Sequence, residues 1–201
     1  EKDNAIAVVD PIAGKLVKTV YVGQRPRGIV LSHDGKSLYI ATSDDNTIRM
    51  IDTGSLKEVG QLPSDKDPET FALSPDGKLL YVSNEDDNLV TVIDVMAKKA
   101  IKQVKVGVEP EGIAVSPDNQ WVASASETTN MVHWINPKTL EIVDNTLVDP
   151  RPRALTFTAD GQQLWVTSEI AGTLTVLDVK TRQILKKVKL EVQGVTAEKI
   201  Q

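Results

Sequence analysis

Apolar residues fall in short alternating runs along the whole chain, and helical spacing is nowhere sustained over three turns. The stretch beginning at Phe71 shows the unit. Phe71-Ala-Leu-Ser74 leads into a Pro75-Asp-Gly-Lys78 turn, then Leu79-Leu-Tyr-Val-Ser83 and a polar segment from Asn84 to Asn88. Leu89-Val-Thr-Val-Ile-Asp94 follows, then a short turn and Ala100-Ile-Lys-Gln-Val-Lys-Val106. Aliphatic and β-branched runs bounded by Gly, Pro, Asn and Asp predict four strands per unit.

The unit recurs every 42 residues: Pro26, Pro68, Pro110 and Pro152 open successive copies. The first hairpin turn falls at Asp34-Gly35, Asp76-Gly77, Asp118-Asn119 and Asp160-Gly161. Its second residue must take a positive φ, which glycine accepts freely and asparagine tolerates better than most. A third column, Asp10, Asp52, Asp94, Asn136 and Asp178, closes the third strand. Its members are placed to bond their own backbone as Asx-turns, a fold device rather than a catalytic one.

Four-stranded antiparallel units repeated without insertion predict an all-β fold, a β-propeller. Residues 1–24 supply the last two strands of a first blade. Blades follow at 25–66, 67–108, 109–150 and 151–190, and residues 191–201 form a tail toward a further blade. An incomplete propeller of about four and a half blades is expected, its terminal blades exposing apolar faces that neighbours would cover.

Composition narrows the function. The chain has 201 residues, 40% of them hydrophobic, with no cysteine, so thiol catalysis and thiolate metal sites are excluded for this segment. A formal charge of -5 argues against a general nucleic-acid binder. No apolar run approaches the roughly 18 residues of a membrane helix, so membrane insertion is not expected. Nucleophile elbows, phosphate-cradling glycine loops and paired zinc histidines are absent.

Ser74-Pro-Asp-Gly-Lys followed by Leu79-Leu-Tyr-Val-Ser-Asn84 and Asp87-Asn-Leu-Val-Thr-Val-Ile-Asp94 resembles the YVTN repeat of bacterial and archaeal propellers. Val22-Gly-Gln-Arg-Pro-Arg-Gly28, Val106-Gly-Val-Glu-Pro-Glu-Gly112, Ser126-Glu-Thr-Thr-Asn-Met131 and Glu141-Ile-Val-Asp-Asn145 are similar to the PQQ-dependent catabolism-associated β-propeller proteins. That resemblance implies seven blades, export to the periplasm, and association with quinoprotein alcohol oxidation and a transport system. It makes PQQ an associated cofactor, with none bound by this segment itself. The function expected is a non-catalytic binding scaffold engaging a protein partner, a quinoprotein dehydrogenase or transport component, or a small ligand. Two alternatives stand beside it: a quinoprotein- or haem-linked oxidoreductase component, and a surface-layer or YncE-like propeller that contacts single-stranded DNA.

Candidate chemistry gathers where successive blades connect. Arg25-Pro26-Arg27, Asp67-Pro68-Glu69, Glu109-Pro110-Glu111 and Arg151-Pro152-Arg153 belong to loops expected around the channel mouth, with Glu85, Glu127 and Glu169 from the neighbouring turns. These charges converge on a polar or anionic ligand, or else pair across blades, Arg27 with Glu69 and Glu111 with Arg153, at 0–1 kcal/mol or so each if exposed. The acidic turns lack the ligand spacing of a calcium-binding hand and read as solvated, with no metal assigned. His33 reads as exposed turn chemistry. His133 shares a column with Arg49, Thr91 and Thr175 that points away from the apolar face, as a polar strand residue without partners, and so is a poor axial ligand for a haem. Trp121, Trp134 and Trp165 are expected to pack between blades.

Overall fold

The computed structural model of the protein describes residues 2–190. The expected tail at 191–201 lies outside the described residues. The first sheet has two strands, β1 (Ala5–Asp10) and β2 (Lys15–Tyr21). The second holds β3 (Pro26–Leu31), β4 (Ser37–Thr42), β5 (Thr47–Asp52) and β6 (Lys57–Pro63), with a single 3-10 turn at Ser43–Asp45. The third holds β7 (Pro68–Leu73), β8 (Leu79–Asn84), β9 (Leu89–Asp94) and β10 (Lys99–Lys105). The fourth holds β11 (Pro110–Val115), β12 (Val122–Ser126), β13 (Met131–Asn136) and β14 (Glu141–Leu147). The fifth holds β15 (Pro152–Phe157), β16 (Gln163–Ser168), β17 (Thr173–Asp178) and β18 (Ile184–Lys189). Every sheet is an antiparallel meander with strands in sequence order, the architecture of a β-propeller.

The turns work as their residues require. Gly35, Gly77, Asn119 and Gly161 have φ between 55° and 72°. In each turn the aspartate two residues after Ser32, Ser74, Ser116 or Thr158 accepts that hydroxyl and a backbone N–H from Lys36, Lys78, Gln120 or Gln162. The closing column behaves likewise: Oδ1 of Asp10, Asp52, Asp94, Asn136 and Asp178 accepts backbone N–H groups two or three residues on.

Sheets pack face to face through repeated columns. Tyr39, Ala41, Ile48 and Leu62 of the second sheet meet Phe71, Leu80, Val82 and Ile93 of the third. Tyr81, Val90, Val92 and Val104 then meet Ile113, Val122 and Ile135 of the fourth, whose Ala123, Val132, Trp134 and Val148 meet Leu164, Val166, Leu177 and Val179 of the fifth. Inner strands approach closely: a Cβ on Gly28 would stand 2.6 Å from the Glu69 carbonyl oxygen.

The tryptophans divide. Trp134 is fully buried, edge-on to Trp121 at 6.3 Å and to Phe157 at 6.2 Å, and the Arg182 guanidinium lies 4.2 Å from the Trp121 ring. Trp165 departs from the expectation of packing between blades: it is 41% exposed, whereas Tyr39, Tyr81 and Ala123 in the same column are at most 5% exposed. Its face of the fifth sheet has no neighbour among the described residues comparable to those that cover the earlier sheets.

Candidate functional site

Each inner strand carries a register break directly after its proline, between Pro26 and Ile29, Pro68 and Phe71, Pro110 and Ile113, and Pro152 and Ala154. Arg27, Glu69, Glu111 and Arg153 sit in these breaks. A bulge turns a side chain out of its ladder register, here toward the end of the sheets where the crossing loops run. The residue before each proline, Arg25, Asp67, Glu109 or Arg151, has φ of 49° to 61°, an uncommon conformation for a side chain of that size.

Two sets of loops meet at this end. Ser43, Glu85, Glu127 and Glu169 donate their N–H groups to the carbonyls of Arg25, Asp67, Glu109 and Arg151. The N–H groups of those same four residues are accepted by Oδ1 of Asn4, Asn46, Asn88 and Asn130. This asparagine latch was not assigned a role from sequence, although its constant offset of 21 residues was there to be read.

The side chains form one continuous ionic network across four sheets. Arg25 Nη1 holds Asp67 bidentately at 3.0 and 3.1 Å, and Arg25 Nη2 stands 3.5 Å from Glu69. Arg27 pairs with Glu69 and lies 3.7 Å from Glu111. Arg153 pairs with Glu111 and reaches Glu127 at 2.9 Å and Glu169 at 3.4 Å. Arg151 Nε donates to Glu127 at 2.7 Å and lies 3.3 Å from Glu169. Glu109 stands aside, accepting the Thr128 hydroxyl.

Both pairings expected from sequence, Arg27 with Glu69 and Arg153 with Glu111, are present, but in surroundings that differ from an exposed rim. Glu69 is 1% exposed and Glu111 6%. Burial pushes the Glu69 carboxyl up to about 8 against the opposing pull of Arg27, with Glu111, Glu85 and Asp67 adding to the rise. Glu111 is also raised, by burial first, against Arg153. Desolvation therefore dominates here, which no spacing in the sequence discloses. Around Glu69 the guanidinium groups of Arg25 and Arg27 stand among the carboxylates of Asp67 and Glu85, and calcium would have to displace them.

The histidines correct the sequence reading. His133 is 7% exposed, and its column mates Thr91 and Thr175 are fully buried, so their face is not open to solvent. In stacked sheets both faces are covered, and polar alternation no longer marks a wet side. Nor is His133 without partners: Nδ1 lies 2.6 Å from Asn145 Oδ1, and Nε2 accepts the Gly107 N–H at 2.9 Å. Burial lowers its pKa, leaving a neutral ring with both nitrogens engaged. His33 is exposed, as expected, yet its Nε2 lies 2.8 Å from the Ser74 carbonyl of the next sheet.

A family model for the Cytochrome D1 heme domain matches residues 37–152. Among solved structures the chain is similar to Kuenenia stuttgartiensis hydrazine synthase, with 28% identity and a TM-score of 0.76, over 83% of this chain and 50% of that one. It also resembles a chain of the Mitotic Checkpoint Complex crystal structure, with 14% identity and a TM-score of 0.82, over 94% of this chain and 59% of that one. At that identity the second likeness is one of fold alone. The chain spans half to three-fifths of the length of these two solved chains. No curated protein matches it.

Proposed function

This chain belongs to the Cytochrome D1 heme domain family, and on that premise we propose that it forms the sheet frame and charged rim of a haem-linked propeller. The matched segment carries the middle of the mouth network, from Asp67 to Arg151, and Arg25, Arg27, Arg153 and Glu169 flank it. The heme-domain family, together with the likeness to hydrazine synthase, an enzyme by its name, favours a haem-linked setting over a surface-layer or DNA-binding one.

A haem asks two things of a protein: an iron ligand and an answer to its carboxylates. Neither histidine fits the first. His133 has both ring nitrogens engaged, and His33 lies in a β3–β4 hairpin turn, at the opposite end of its strand from the mouth loops. The second fits at one place. The Glu169 carboxylate, with a side chain 54% exposed, bridges Arg151 at 3.3 Å and Arg153 at 3.4 Å, the arrangement that a ligand carboxylate would adopt in its stead. That bridge is the observation that carries the proposal. The described residues thus bind and orient at the rim, and no reaction step is assigned to them.

Ferric haem titrated into the protein tests this. Saturable binding is expected with a spectrum free of histidine ligation, strengthened in Glu169→Gln and weakened several-fold in the Arg151→Ala, Arg153→Ala double variant. Absence of saturable binding, or a histidine-ligated spectrum, overturns it.

The resemblance of the repeats to the PQQ-dependent catabolism-associated propellers supports a second reading, a seven-bladed, exported, non-catalytic scaffold serving quinoprotein alcohol oxidation. PQQ also carries carboxylates that the same arginine pair would answer. Preference for PQQ over haem in parallel titrations would select that reading.

A further inference from the structure

Carboxylates outnumber guanidinium groups around Glu69. Asp67 precedes it, Glu85 follows β8, and Glu111 faces it from β11, while Arg25 and Arg27 approach from the β3 side. Carboxylate oxygens of Asp67, Glu69 and Glu85 lie within 4.8 Å of one another. Arg25 is committed to Asp67 by two hydrogen bonds and stands 3.8 Å from Asp44. Arg27 is shared between Glu69 and Glu111, and Glu111 in turn holds Arg153.

Carboxylates so close cannot all stay ionised where water is excluded. The proton belongs on the group that solvent and donors stabilise least. Asp67 has Arg25, and Glu85 is half-buried and reaches water. Glu69 is 1% exposed, and neither of its carboxylate oxygens receives a hydrogen bond of good geometry, although both arginines lie within ion-pair distance. An ion pair without aligned donors recovers little of the cost of burying the charge.

We propose that the Asp67, Glu69 and Glu85 cluster is a proton-binding site, which holds one proton on the Glu69 carboxyl at neutral pH and gives it up in mildly alkaline solution. The direction in which burial and the neighbouring acids push Glu69 agrees with this assignment. Arg27 is the responding element. With Glu69 neutral it is drawn toward Glu111, 3.7 Å away, and with Glu69 ionised it is drawn back, so proton uptake redistributes positive charge from the β7 strand toward β11. This site does not depend on what ligand the rim takes.

Difference infrared spectroscopy on the full chain, wild type against Glu69→Gln, reads the carboxyl directly. A protonated-carboxyl band that disappears near pH 8 is expected in wild type, absent from Glu69→Gln and kept in Glu111→Gln. Glu69→Gln should also match the wild-type thermal midpoint at pH 4.5 and lose the decline that wild type shows as pH rises from there toward 8. A Glu69 carboxyl already ionised at pH 6, or a band that survives Glu69→Gln, overturns the proposal, and neither outcome involves haem.

Discussion

The two ends of the same sheets are built on opposite principles. At the hairpin end every unit repeats one chemistry: a hydroxyl and a backbone N–H on the Asp of each first turn, and further N–H groups on the Asp or Asn that closes the third strand. At the mouth end the backbone repeats, with the same bulge, the same positive φ and the same asparagine acceptor, while the side chains change from Arg to Asp to Glu to Arg. One end is settled within a handful of residues. The other is settled between sheets, and its energetics belong to the network.

Substitution should expose this contrast most strongly at Arg27. Removing it leaves Glu69 and Glu111 buried with one fewer guanidinium between them, and Arg27→Ala should cost about 3–5 kcal/mol in urea unfolding at pH 9. The loss should shrink at pH 6, where Glu69 carries a proton. An equal loss at both pH values would separate the network from the protonation of Glu69. Gly28→Ala comes next, at about 1–3 kcal/mol, because its Cβ would sit 2.6 Å from a backbone oxygen and 3.0 Å from the Thr70 Cα. The same change at Gly14, with nothing within 4 Å, lacks the clash and carries only the cost of its φ of 61°.

The hairpin end should respond less. Asp52→Ala loses the N–H and hydroxyl of Ser55 and should lower the urea midpoint slightly, whereas Asp52→Asn should leave it nearly unchanged, since Asn136 performs the same task in its own unit. Acid titration separates the ends further. The Ser74 hydroxyl, first among its partners, holds the Asp76 carboxyl down to about 2. Its contribution is complete above the ordinary aspartate value and is lost as pH falls toward 2. Glu69 runs the other way: its raised pKa makes the fold lose stability as pH rises toward 8. Circular dichroism of Asp76→Asn and Glu69→Gln across pH 2–9 should show each variant flattening one limb only. The smallest effect is expected at Asn119→Gly, a gain of a few tenths of a kcal/mol, as glycine takes over a φ of 55°.

The contrast also explains what was legible beforehand. Asp34-Gly35 and Asp52 could be read because their partners lie within three residues, and local spacing carries local hydrogen bonds. The pairing of Arg27 with Glu69 was legible because a 42-residue period makes neighbours of residues one repeat apart. Burial was not. Glu69 and Glu111 look in sequence like surface charge, and only the bulges after Pro68 and Pro110 set them beneath the rim. His133 misled for a related reason, because alternation along one strand cannot show that both faces of its sheet are covered. Trp165 failed from the opposite side: its column is buried wherever another sheet follows, and none of the described residues does that for the fifth sheet.

The asparagine latch has a consequence for how such a protein can diversify. Asn46 secures Asp67, and Asn130 secures Arg151, through the main-chain N–H alone. The joint is blind to the side chain it fastens, so lineages can recolour the charge of the rim one module at a time while the hinge that aligns each module with the next keeps its shape.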